Sequence, residues 1–253
     1  MNNLKSKRAF TLVELLVVLA IMAVLAAVLL PWLVANGRMS QRIDCVNNLK
    51  EVGLAFRVWE GDNSDKFPMA ISTASGGTEE NTWSAQNSGI ITTPANFGTP
   101  SAIQYYWLTT FEVMSNELST PKILACPSDA GKNALNTWTN GASLIAATSY
   151  FVCGNAADNY PQMILSGDRN IGTLAAVGTT AALTTNVSST YALATQLKPL
   201  QTGWTAADLH QRVGNIGLAD GSVAQVTISG LQTALQNATN GGPTGSPAYN
   251  FPN

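Results

Sequence analysis

From residue 10 to residue 34 the chain reads FTLVELLVVLAIMAVLAAVLLPWLV, an apolar run whose one charged residue is Glu14. At 1.5 Å per residue a helix of that length measures about 37 Å, enough to cross a hydrocarbon core of about 30 Å. A membrane-spanning helix over 10–34 is therefore predicted. Further on, Ile43, Val46, Leu49, Val52, Phe56 and Trp59 recur at spacings of three and four, with Arg42, Asp44, Lys50, Glu51 and Arg57 falling mostly elsewhere. Such periodicity predicts an amphipathic helix over 35–60 with one buried stripe, stopped by Glu60-Gly61-Asp62-Asn63. The two segments read as one continuous helix. A break near Asn36-Gly37 is the alternative, because glycine costs a helix interior about 1 kcal/mol.

Over 61–240 the pattern changes to short apolar runs separated by Gly, Asn, Thr and Ser. This predicts strands and long loops, with strands at 148–153, 191–195, 214–219 and 222–228. The last two flank Asp220-Gly221, which reads as a two-residue type I′ hairpin turn with positive φ at both positions. A short helix is expected after Ser229 as N-cap, through Leu231, Ala234 and Leu235. Residues 241–253, GGPTGSPAYNFPN, read as a flexible tail. The fold class expected is α+β, a long N-terminal helix packed on a small antiparallel sheet.

Charge and composition narrow the function. Residues 1–9, MNNLKSKRA, hold Lys5, Lys7 and Arg8 and no acid, which keeps them cytoplasmic and sends everything after about residue 35 across the membrane. The 253 residues carry a net charge of −2, and no Lys or Arg run exceeds two, so no phosphate-binding surface for nucleic acid is expected. Cys45, Cys126 and Cys153 show no CxxC spacing and His210 is the one histidine, a poor basis for a Cys/His zinc site.

A secretory signal peptide has a shorter apolar core than this run. A simple signal anchor fits the length but gives no reason for Glu14, since a carboxylate within a bilayer costs about 2.5–3.5 kcal/mol and asks for a partner. At Ala9-Phe10-Thr11-Leu12-Val13-Glu14 the sequence closely resembles the class III signal of type IV pilins and type II secretion pseudopilins. The basic leader, the small residue, the Phe, the acid at the fifth mature position and the unbroken apolar helix carry the resemblance. Ala9 stands where that family usually has Gly.

The resemblance implies that a prepilin peptidase cuts between Ala9 and Phe10, removing the 1–9 leader, and methylates Phe10. It also implies a role for Glu14. Its carboxylate would neutralise the new ammonium of Phe10 on a neighbouring subunit in a low-dielectric fibre core, where either charge alone is costly. Pro31 lies deep in the helix, where it kinks the helix or, on the other reading, ends the span beside Trp32.

CVNNLKEVGLAF at 45–56, CPSD at 126–129, SGDRN at 166–170 and His210 followed by Asp220-Gly221 are similar to the H-x9-DG group of prepilin-like proteins. That group implies an exported, assembled pilin-like domain and no defined activity. The hairpin turn accounts for Asp220-Gly221, and a lone His before a strand reads as structural ahead of catalytic. Asp168 reads as a turn residue or a partner of Arg169. The resemblance favours a disulfide of Cys45 with Cys126, worth about 2–4 kcal/mol; three buried thiols are the alternative. Pseudopilins also suggest Ca2+, for which Asp158, Asp168 and Asp220 are donors without any Asp-x-Asp spacing. No cofactor is otherwise expected and the metal is unassigned. Trp83, Trp107, Trp138 and Trp204 read as core or loop anchors.

The function expected is that of a non-enzymatic structural subunit. It would sit in the inner membrane, then join a helical fibre with other pseudopilins and an assembly platform, its domain periplasmic or extracellular. Small residues at Ala20, Ala23, Ala26 and Ala27 permit close helix approach. The alternative is an anchored domain that binds a polymer such as polysaccharide and never polymerises.

Overall fold

The computed structural model describes residues 10–79, 109–139, 142–173, 185–186, 195–205, 209–210, 212–242 and 248–250, with backbone alone at 31–38, 142, 145, 173, 185–186, 195–196, 248 and 250. Two compact units divide the chain, residues 1–41 and 42–253. The two segments form one continuous helix, as expected: α1 runs Leu12–Asp62, without the alternative break at Asn36-Gly37. Leu12–Leu30 is long and apolar enough to cross a membrane, with mean hydropathy 3.0 and no part of it buried. Pro31 falls within α1, while its side chain lies outside the described residues.

The second half of α1 buries Cys45, Leu49, Val52, Phe56 and Trp59, a 4-3-4-3 spacing that keeps one stripe against the core. Ile43, expected on that stripe, is exposed. Its place is taken by Cys45, two positions on and thus on nearly the opposite face. The helix stops where Asn63 donates from Nδ2 to the Trp59 carbonyl at 2.7 Å, satisfying one of the carbonyls that a helix end leaves without a partner.

Short helices follow at α2 (Thr109–Val113), α3 (Ser115–Leu118) and α4 (Ala142–Ala147). The strands are β1 (Tyr150–Cys153), β2 (Ile164–Asp168), β3 (Ile171–Thr173), β4 (Thr185–Asn186), β5 (Thr195–Gln196), β6 (Thr202–Trp204), β7 (Val213–Leu218) and β8 (Val223–Thr227). Helix α5 (Ile228–Gly241) and β9 (Ala248–Asn250) complete the chain. A six-stranded sheet runs β5-β9-β1-β2-β7-β8 and a three-stranded sheet β4-β3-β6, every pairing antiparallel. The fold is α+β with a long N-terminal helix.

Three local expectations are corrected. Only Gly221, at φ +85°, is left-handed in the β7–β8 turn. Its N–H donates to the Leu218 carbonyl and Leu218 N–H to the Ser222 carbonyl, so the loop has three residues with Gly221 in the left-handed position, not a two-residue type I′ turn. Helix α5 is capped by Thr227, whose hydroxyl accepts from Gly230 N–H at 3.3 Å; Ser229 already lies in the first turn. Residues 248–250, inside the expected tail, form β9 against β1 and β5, with Tyr249 buried and edge-on to Phe151 at 5.5 Å between centroids. The strand expected at 191–195 falls outside the described residues except for Thr195.

Trp204 is fully buried between the sheets, and a Cβ on Gly214 would lie 2.6 Å from its ring. Gly214→Ala is expected to destabilise the domain by about 1–3 kcal/mol through overpacking, measurable as a lowered denaturant midpoint at unchanged slope. Trp83 and Trp107 lie outside the described residues.

Candidate functional site

Two places hold most of the residues singled out by sequence. At the N-terminus, Ala9 lies outside the described residues and Phe10 is exposed. Glu14 Oε2 accepts from Thr11 N–H at 2.9 Å and from Thr11 Oγ1 at 2.8 Å, while Glu14 N–H donates to Thr11 Oγ1 at 3.2 Å. This is a capping box: Thr-x-x-Glu satisfies the first N–H groups of α1 reciprocally. Glu14 therefore has a hydrogen-bond partner within its own chain, a neutral one that leaves its charge unmatched there. The signal for this, a Thr three residues before a Glu at the head of an apolar run, was present in the sequence.

In the second unit, the motif residues from four separate stretches meet in one buried cluster. Cys45 of α1 is disulfide-bonded to Cys126, with Cα atoms 5.0 Å apart. His210 is buried beside that bond, its Nε2 3.5 Å from Cys126 Sγ and 3.5 Å from Asp168 Oδ2. Asp168 accepts from the backbone and side-chain N–H of Asn215 at 2.7 and 3.0 Å. Arg42 donates to the His210 carbonyl at 3.4 Å. Cys153, buried in β1, donates to Asn155 Oδ1.

Arg169 does not pair with Asp168 as the sequence suggested. Its Nε and Nη2 each reach Asp129 at 2.8 Å, a bidentate contact, because the chain turns after β2 and sends successive side chains to opposite sides. Asp129 also accepts from Ser149 Oγ at 2.9 Å, and Ser149 Oγ accepts from Cys126 N–H at 3.0 Å. CPSD and GDRN thus form one buried network.

The charges follow from these contacts. Burial pushes Asp129 up, but the Arg169 guanidinium, Ser149 and the Gly131 N–H outweigh it and hold the carboxyl below its ordinary value. Asp168 is pushed up to about 7 by burial, against the lowering effect of Asn215. Burial, then the charge of Arg42, brings His210 down to about 4, so the imidazole is neutral at pH 7 and no ion pair joins it to Asp168.

Asp129→Ala is expected to cost about 3–5 kcal/mol, because it strands the buried Arg169 charge. The sign with pH is fixed by the lowered Asp129 value: its stabilisation is complete above the unfolded carboxyl range and fades as pH falls through the folded one. Chemical denaturation of wild type and Asp129→Asn between pH 7 and pH 3 measures this, with the acid-side loss smaller in the variant.

His210 precedes β7 and Asp220 follows it, so they lie at opposite ends of that strand and do not share a site. Asp220 is exposed on the turn, accepting from Ser222 N–H at 2.8 Å. Asp158 pairs with Arg57. The three carboxylates proposed for Ca2+ are thus each engaged by a different part of the chain. Cys126 is tied in its disulfide, so the Cys126, His210 and Asp168 arrangement offers no nucleophile in this state. A surface hollow of about 510 Å3 is lined by Glu112, Ser115, Trp138 and Thr139.

Among known families, residues 4–30 match the prokaryotic N-terminal methylation motif. The match covers most of the leader and most of the apolar run and stops well short of the buried cluster. No curated protein and no solved structure matches the chain. The chain carries the signal of a prepilin-type precursor, with a helix that anchors it in the membrane; such a signal implies processing by prepilin peptidase and assembly, and points to a structural subunit rather than an enzyme.

Proposed function

We propose that this protein is a pilin-like or pseudopilin-like fibre subunit, cut between Ala9 and Phe10, methylated on Phe10, and drawn from the inner membrane into a helical assembly. The observation that carries the reading is the conjunction of the methylation motif at 4–30 with a wholly exposed apolar helix over Leu12–Leu30. An apolar surface of that size is stable only in lipid or against other copies of itself. Assembly replaces lipid contacts by helix contacts, aided by the small residues from Ala20 to Ala27. The second unit, stapled by its disulfide, faces outward on the periplasmic or extracellular side. The system it serves would supply further pseudopilins and an assembly platform.

Co-expression of the full chain with and without a prepilin peptidase tests this. The mass should fall by the nine-residue leader only when the peptidase is present, and Ala9→Leu should block the cut. An unchanged mass in both cells removes the reading.

The polymer-binding anchor keeps one observation in its favour, the hollow beside Trp138. A half-buried indole next to a carboxylate is chemistry suited to a sugar face and its hydroxyls. Retention of the detergent-solubilised chain on a polysaccharide column, lost in Trp138→Ala, would support that reading.

A further inference from the structure

The buried cluster around His210 contains more than a disulfide needs. Cys45 Sγ, Cys126 Sγ and a ring nitrogen of His210 all lie within 4.8 Å of one another, and all three residues are buried. Asp168 stands against the same imidazole nitrogen that faces Cys126. At 3.5 Å from Cys126 Sγ and from Asp168 Oδ2, Nε2 is too far from the oxygen for a good N–H···O bond. His210 Nδ1 and Asp168 Oδ1 have no hydrogen-bond partner among the described residues.

Those distances suit another geometry. With bonds of about 2.3 Å to sulfur and about 2.0–2.2 Å to nitrogen and oxygen, a tetrahedral centre sets sulfur and nitrogen about 3.5 Å apart, and nitrogen and oxygen about 3.4 Å apart. The two sulfurs would have to separate to about 3.8 Å, which a cysteine side-chain rotation provides once their bond is broken. Two thiolates, an imidazole and a carboxylate select a borderline-soft ion such as Zn2+ over Ca2+. Around a divalent ion that set carries one net negative charge, and Arg42 at the His210 carbonyl places a positive charge nearby. The ligands come from α1, from the turn at Cys126, from the end of β2 and from the loop before β7, so no short sequence spacing announces them.

We propose that the Cys45–Cys126 pair is one state of a two-state site, and that on reduction Cys45, Cys126 and His210 bind a single tetrahedral Zn2+-class ion with Asp168 at the fourth position. A phosphine reductant and one water convert the disulfide to two thiols and a phosphine oxide. Metal binding then releases the two thiol protons and any proton held on the Asp168 carboxyl, and nothing else is consumed. The proposal is independent of fibre assembly.

The test uses the full chain in detergent, reduced with a phosphine under anaerobic conditions and titrated with Co2+ as the spectroscopic probe. Reduced wild type is expected to take up one Co2+ per chain, with a thiolate charge-transfer band and intense tetrahedral ligand-field bands. Excess Zn2+ should bleach both. The oxidised protein should show neither. Cys126→Ser should abolish the charge-transfer band, and Asp168→Asn should weaken binding by about tenfold or more. His210→Ala covers the case in which the reduced chain unfolds, because two thiolates on a flexible chain would bind Co2+ without regard to it. The proposal is overturned if reduced wild type shows no charge-transfer band, or if His210→Ala leaves spectrum and affinity unchanged.

Discussion

Glu14→Gln is expected to leave the protein inserted in the membrane and its first helix intact, yet to reduce assembly into fibres by more than a hundredfold. The amide oxygen of Gln still accepts from Thr11, so the capping box of α1 is kept in part. What disappears is the negative charge. If the ammonium of a processed Phe10 is matched by Glu14 of a neighbouring copy, removing one member leaves the other buried and unpaired, at a cost of about 3–5 kcal/mol for each interface.

Thr11→Ala is the complementary variant. It removes the cap, worth about 0.5–2 kcal/mol, and keeps the carboxylate, so assembly should persist. Electron microscopy of sheared fractions alongside membrane fractionation reads both. Fibres from Glu14→Gln at wild-type yield, with loss in Thr11→Ala, would reduce Glu14 to a helix cap and remove its intersubunit role.

Removing the disulfide should produce the largest loss of stability. Cys45 and Cys126 are 81 residues apart, and closing a loop of that length withdraws about 4–5 kcal/mol of chain entropy from the unfolded state. For a unit of this size the melting temperature should fall by roughly 10–20 °C. The Cys45→Ala, Cys126→Ala pair changes little else by volume: both side chains are buried in a small apolar cluster with Leu49 and Tyr150, and Cys126 also faces His210. Calorimetry of the detergent-solubilised variant, compared with wild type, gives the number. A fall of under 3 °C would show that the staple constrains little that the core does not already fix.

The anchor helix and the amphipathic stripe were legible because a 3.6-residue period and an uninterrupted apolar run are local properties. The β7–β8 hairpin was legible for the same reason, through Asp220-Gly221. Its turn type was not, because the added residue is set by closure of Leu218 on Ser222. Strand β9 was missed because Ala248–Asn250 has loop composition, and only pairing with β1 and β5 makes it sheet. Ile43 and Cys45 differ as core residues because packing, not hydrophobicity, chose the face. The buried network was the least legible part. Arg169 with Asp129 and His210 with Asp168 join residues 40 and 42 positions apart, and nothing in spacing says which carboxylate each will meet.

Mass spectrometry of the N-terminal peptide from the assembled, native protein tests the central claim most directly. The account predicts a peptide beginning at Phe10 with one methyl group on its amine and no trace of residues 1–9. A peptide beginning at Met1, or an unmodified start elsewhere in the apolar run, would contradict it.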